Sequence, residues 1–164
     1  MGLQRQQRYF EDFDLGDRVE SPARTVTESD VMQFAGLSGD YNAIHTDAEY
    51  ARQTPYGQRI AHGLLGLSIA SGLAVQSGLI DHTILAFTGL QWSFRAPVFL
   101  GDTIRLRAQV IKTRLMRSMG GGLVVFAVSV ANQRDEVVQQ GEWTMLVRSR
   151  SLEPGAAAPP PAQP

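Results

Sequence analysis

The sequence predicts an α+β fold: an antiparallel sheet wrapped around one long buried helix. Three observations predict it. Over residues 62–77 the apolar side chains Leu64, Leu65, Leu67, Ile69, Ala70, Leu73 and Val75 cover nearly every helical face, so this helix is expected to be enclosed rather than amphipathic. Four stretches of strand character follow it, two of them with a clean alternation of apolar and polar residues. The chain has 164 residues, 43% of them hydrophobic, which suits one domain with a sizeable core.

The elements can be justified in order. Residues 1–9 are polar and read as a flexible arm. Residues 151–164 are rich in Pro and Ala and read as a disordered tail, leaving 10–150 as the domain. Residues 19–26 suit a short strand. Thr27-Glu-Ser-Asp30 has the pattern of a capping box, with Asp30 in place of the usual Glu. The helix it starts, 28–37, puts Val31, Phe34 and Ala35 at helical spacing. A polar stretch, 38–45, comes next. Thr46 or Asp47 then caps a short helix to about residue 53, and Pro55 and Gly57 mark a loop over 54–59. Gly and Ser within 62–77 let a sheet approach that helix closely. The strand candidates begin with 83–94. In the second, Ile104, Leu106, Ala108 and Val110 alternate with Arg105, Arg107 and Gln109. Gly120 to Gly122 mark a turn or bulge. Residues 123–131 are almost continuously apolar and read as a central strand. In the last, Trp143, Met145 and Val147 alternate with Glu142, Thr144 and Arg148. A meander is the expected order. A sheet with exposed edges is expected to pair with a second copy.

Composition excludes several functions. Fifteen Lys and Arg against sixteen Asp and Glu give a net charge of -1, without the basic excess of a nucleic-acid-binding protein. The chain has no cysteine, which removes disulfides, thiolate nucleophiles and Cys-ligated zinc. The first dozen residues are polar and unlike a signal peptide, and the apolar run 64–75 is too short to span a bilayer. A cytoplasmic protein without membrane contact is expected.

The most telling stretch is Phe34-Ala-Gly-Leu-Ser-Gly-Asp-Tyr-Asn-Ala-Ile-His45. It sets Asp40, Asn42 and His45 within six residues, and a carboxylate beside an imidazole can hold a water and move its proton near neutral pH. Taken singly, Asp40 and Asn42 are also turn formers and His45 also suits a packed position. His62 and Gly63 open the buried helix. His62 suits a capping or pocket-shaping role. The Gly63 N–H is one of the unpaired donors of a helix start, where the dipole favours an anion. The three histidines, His45, His62 and His82, lack metal-ligand spacing, and no Gly-x-Ser-x-Gly occurs. No metal is expected. Trp92 and Trp143 suit core or interface filling.

These residues resemble the hydratase-2 motif of the MaoC-like (R)-specific enoyl-CoA hydratases. Ala51, the stretch Ile60-Ala-His-Gly-Leu-Leu65 and the stretch Ala96-Pro-Val-Phe-Leu-Gly-Asp-Thr103 carry the same resemblance, which extends over roughly 10–150. One departure is Ala43, where the family commonly has Pro; it loosens the turn but removes no chemical group. The resemblance implies a hot-dog fold, a homodimer or higher homo-oligomer, and reversible hydration of a trans-2-enoyl thioester to the (R)-3-hydroxyacyl thioester. It implies Asp40 and His45 as the water-activating pair, with Asn42 and His62 orienting and Gly63 receiving the thioester oxygen. The substrate is then an acyl-CoA or acyl-carrier-protein thioester, with no separate cofactor. CoA phosphates call for cations, and Arg95, Lys112 and Arg114 are candidates, with Arg105 and Arg107 beside them. A hot-dog thioesterase and a non-catalytic acyl-thioester binding module are the alternatives.

Overall fold

Alternation along the chain from residue 103 to 147 builds the sheet. The computed structural model describes residues 7–80 and 82–152. Strand β4 (Thr103–Met116) turns Ile104, Leu106, Ala108 and Val110 inward, all at most 5% exposed, and sends Arg105, Arg107 and Gln109 to the other face. Strand β5 (Gly121–Ala131) buries Val124, Phe126, Val128 and Val130 beside them, and β6 (Val137–Arg148) adds Trp143, Met145 and Val147. Strand β3 (Ile84–Phe94) completes the long strands. With β1 (Arg18–Glu20) at one edge the order is β1-β4-β5-β6-β3, every pair antiparallel, so β5 is central as its composition predicts.

Two expectations about the strands need correction. The meander holds only for β4, β5 and β6, because β3 pairs with β6 at the far edge and its connection to β4 crosses the sheet. Strand order is a long-range property that local alternation does not encode. The first predicted strand is two pieces, β1 (Arg18–Glu20) and β2 (Arg24–Thr25), both paired to β4. Pro22 lies between them and has no N–H for a ladder. Strand β4 runs past residue 110 because the register shifts between Val110 and Lys112, a bulge that ends the simple alternation.

Helix α4 (Gly63–Gln76) packs on the inner face. Its buried stripe is Leu65, Gly66, Ile69, Ala70, Leu73 and Ala74. The opposite stripe is open: Leu64 is 59% and Val75 48% exposed, with Ser68, Ser71 and Gly72 between them. The helix is therefore not enclosed on all faces, since within one chain the sheet covers a single side.

Helix α1 (Glu28–Ser38) begins with the predicted capping box. Thr27 Oγ1 accepts from Asp30 N–H, and Asp30 Oδ2 accepts from Thr27 N–H. Val31 and Ala35 are fully buried and Phe34 packs against the core. Two short helices follow, α2 (Ala43–Thr46) and α3 (Ala48–Arg52), the second capped by Asp47 through the N–H groups of Glu49 and Tyr50.

The two ends of the described chain meet. Arg8 donates to Asp17 and to the Asp12 carbonyl and stacks on Phe13, so Arg8 and Tyr9 belong to the folded unit rather than to an arm. Glu11 accepts from Ser149, Ser151 and the Arg150 N–H. Burial alone raises the Glu11 pKa, but these hydrogen bonds outweigh it and lower it from 4.5 to about 2. Residues 151 and 152 accordingly pack instead of joining the tail. Residues 1–6 and 153–164, which hold the rest of the expected arm and tail, lie outside the described residues.

Candidate active site

Local chain chemistry delivers each candidate side chain. Helix α1 stops at Gly39, whose φ of 78° is left-handed and suits glycine. The reversal places Asp40 beyond the helix end, where its Oδ1 accepts from the Asn42 N–H at 3.2 Å. Asn42 in turn caps α2 through Oδ1 and the Ile44 N–H at 3.1 Å. One turn of helix then presents His45. Asn42 thus links Asp40 to the helix that carries His45, as that helix's cap.

The imidazole is set by a distant strap. Residues 60 and 61 are held by a bridge between Ile60 and Phe99 and by the Ala61 N–H to the Val98 carbonyl at 2.8 Å. His45 Nδ1 lies 2.8 Å from the Ile60 carbonyl. A carbonyl only accepts, so Nδ1 carries the proton and Nε2 presents its lone pair. His45 is half-buried, and desolvation lowers its pKa from 6.5; the Ile60 bond raises it, His62 lowers it and Asp40 raises it.

His62 is 3% exposed and precedes the first residue of α4. Its side chain does not cap the helix, contrary to one reading of the sequence. It turns back so that Nε2 donates to the Asp40 carbonyl at 2.9 Å. Its ring faces His45 at 3.8 Å between centroids and Phe34 at 5.0 Å. His62 therefore ties the Asp40 backbone and the His45 ring together. One donor atom each from Asp40, His45 and His62 lies within 4.8 Å of the others. His45 Nδ1 and His62 Nε2 each face a backbone carbonyl, so the nitrogens that present lone pairs are His45 Nε2 and His62 Nδ1.

Gly63 starts α4 beside this group. A Cβ there would meet the Phe94 ring at 2.8 Å, so the missing side chain lets that ring pack against the helix start. The first-turn N–H groups and the helix dipole make this the electropositive end of the site.

The cationic candidates separate. Arg95 follows Phe94 and is exposed next to the site. Lys112 and Arg114 are exposed on the far half of β4, six and eight residues beyond Leu106, which shares a sheet row with Val130 and Gln139. That is roughly 20 Å along the strand or more. Arg107 is paired with Glu20 and Asp135, and Arg105 with Asp135. A surface groove of about 880 Å³ lies on the sheet face turned away from α4, beside Gln109, Ser129 and Glu142, and contains none of the Asp40 group. Sequence reasoning missed Gln139 and Phe94, which frame Gly63. A signal existed for the first: in a strand of period two, one of Gln139 and Gln140 must face the core.

Comparison with known proteins shows the family and the fold. The family model described as "MaoC like domain" matches residues 12–136. Protein MaoC of Klebsiella aerogenes is 40% identical over 101 residues, 61% of this chain but only 30% of that protein. An (R)-specific enoyl-CoA hydratase of Rhodospirillum rubrum is 36% identical over 142 residues, covering 87% of this chain and 93% of the relative. A solved structure titled monoamine oxidase regulatory protein, from Archaeoglobus fulgius, superposes with a TM-score of 0.80 at 38% identity, covering 87% of this chain and 95% of the other. The helix on its antiparallel sheet, the Asp40 to His45 turn and the matched family model lead to one conclusion: the chain belongs to the MaoC-like dehydratase family and has its hot-dog fold.

Proposed function

We propose that the protein is a hydratase/dehydratase that adds water reversibly to a trans-2-enoyl thioester, giving the (R)-3-hydroxyacyl thioester. The observation that carries the reading is the Asp40 and His45 pair held within 4.8 Å of each other's donor atoms at the start of α4. The R. rubrum relative is named for this activity and supports it.

The chemistry has three demands. The water oxygen bonds to C3 as its proton passes to the Asp40 and His45 pair, with His45 Nε2 and the Asp40 carboxylate as acceptors. The C2=C3 π pair moves toward the thioester oxygen, which becomes an enolate oxygen. The first-turn N–H of Gly63 stabilises that charge. The pair of electrons then returns and C2 takes a proton from the same pair, completing the addition of one water. The two groups act as a coupled pair, so the proton belongs to both. The acyl carrier is CoA or an acyl carrier protein, and Arg95 is the candidate cation beside the site. The working unit is a homodimer joined at the β3 edge, where Phe87, Leu90 and Phe94 are 47%, 47% and 55% exposed.

Crotonyl-CoA tests the reaction. The enoyl absorbance should fall with no thiol released, and Asp40→Asn or His45→Ala should reduce kcat on the order of 100- to 10,000-fold while leaving the melting temperature nearly unchanged. Release of free thiol would make the protein a thioesterase. Binding of crotonyl-CoA and of longer and branched enoyl-CoAs without any turnover would make it an acyl-thioester binding module.

A further inference from the structure

Gln139 is 2% exposed, and both ends of its amide are used. Trp92 Nε1–H donates to Gln139 Oε1 at 3.1 Å, and Gln139 Nε2 donates to the Gly63 carbonyl at 3.0 Å. An indole N–H only donates, so the amide can face its partners in one way alone. Along the inner face of β6 its companions are Gly141, Trp143, Met145 and Val147. A buried amide among such neighbours is costly unless its hydrogen bonds are met, and an aliphatic side chain would fill the same space with no such demand. The amide is thus a specific feature of this wall, and its donor is aimed at the first residue of α4.

Neighbouring residues are shaped around it. Gln139 stands opposite Phe94 in β3, and the Phe94 ring lies over the Gly63 α-carbon. Gly63 is therefore held on two sides, by an aromatic ring on its α-carbon and by an amide on its carbonyl. Gly66, one turn further on, has no Cβ, and one placed there would collide with Gln139 Nε2. Gly141 lies opposite Trp92, and a Cβ there would run into the Gln91 carbonyl and the Trp92 ring. The two glycines leave the room in which Trp92, Gln139 and the first turn of α4 interlock.

We propose that Gln139 is a positioning residue that fixes the first turn of α4 so that its N–H donors face the thioester oxygen. The Gly63 carbonyl and the Leu64 N–H belong to one peptide group. A hydrogen bond donated to that carbonyl polarises the group and strengthens the Leu64 N–H as a donor. Gln139 acts without touching the substrate: it sets the angle of the donors and raises the charge on one of them. This inference rests on the reading that the thioester oxygen is received at the start of α4.

Two readouts on the full chain test it, with Gln139→Met as the near-isosteric variant. Amide hydrogen exchange should quicken across residues 62–67 and stay unchanged in β5. With crotonyl-CoA, kcat should fall on the order of 10-fold, less than the ~100- to 1,000-fold that follows loss of a donor outright, while KM and the acid limb of the pH profile stay in place. Trp92→Phe, which frees only the Oε1 end, should give smaller changes in the same direction and covers the case of a Gln139→Met chain that does not fold. Unchanged exchange across 62–67 would overturn the tether. Faster exchange with unchanged kcat would overturn its link to the oxygen. Absence of turnover by the wild-type protein would remove the hydration reading and the catalytic half of this proposal, while the exchange result would still decide the tether.

Discussion

In the proposed reaction His45 accepts a proton, and its surroundings suit that role. Desolvation is the largest influence on it and lowers its pKa below 6.5, and its Nδ1 proton is committed to the Ile60 carbonyl. At neutral pH the Nε2 lone pair is therefore available. The acid limb of kcat/KM with crotonyl-CoA should follow this group, with activity lost as pH falls through an apparent pKa below 6.5. A limb centred well above that value would contradict the assignment. That Asp40, Asn42 and His45 stand together was legible in the sequence because they lie on one short turn whose capping chemistry is local. The contact of His62 was not, since its Nε2 reaches a carbonyl 22 residues earlier. Gln139 was hidden for the same reason, its partners being 47 and 76 residues away.

Among the elements, those fixed by neighbours in sequence were the readable ones. The Thr27 and Asp30 capping box, the Asp47 cap and the alternation in β4 follow from a few adjacent residues. The place of β3 beside β6 depends on where the chain goes after residue 94, which no local pattern records. The closure of the first turn onto the last is also long-range, and it has a pH signature. Glu11 is held at about 2 in the folded protein against 4.5 ordinarily. A carboxylate with a lowered folded pKa adds stability that is complete above its unfolded value and is lost as pH falls toward the folded one. The melting temperature of the wild type should exceed that of Glu11→Gln above pH 4.5, and the difference should shrink between 4.5 and about 2. A difference that persists undiminished at the acid end would show that Glu11 contributes through something other than its charge.

At the scale of the whole molecule, the β3 edge and the open stripe of α4 are apolar features left uncovered among the described residues. Pairing of two β3 edges in register would join their main-chain donors and acceptors and bring the α4 stripes under shared cover. Sedimentation should give a dimer, and Leu90→Lys, a charge at the 47% exposed edge position, should shift it toward monomer. A wild-type chain that sediments as a monomer would sink the proposal. The sequence pointed to this surface by predicting a helix apolar on every side, and the error in that expectation, a helix covered on one side only, is itself the reason to look for a second chain. The junction of Glu11 with Ser149 and Arg150 has a different consequence. Because the chain closes on itself there, the linear order of its elements is a matter of where the loop was cut. A circularly permuted gene, with residues 7 and 152 spliced by a short linker and new ends opened at an exposed turn, would encode the same sheet, the same helix and the same pocket.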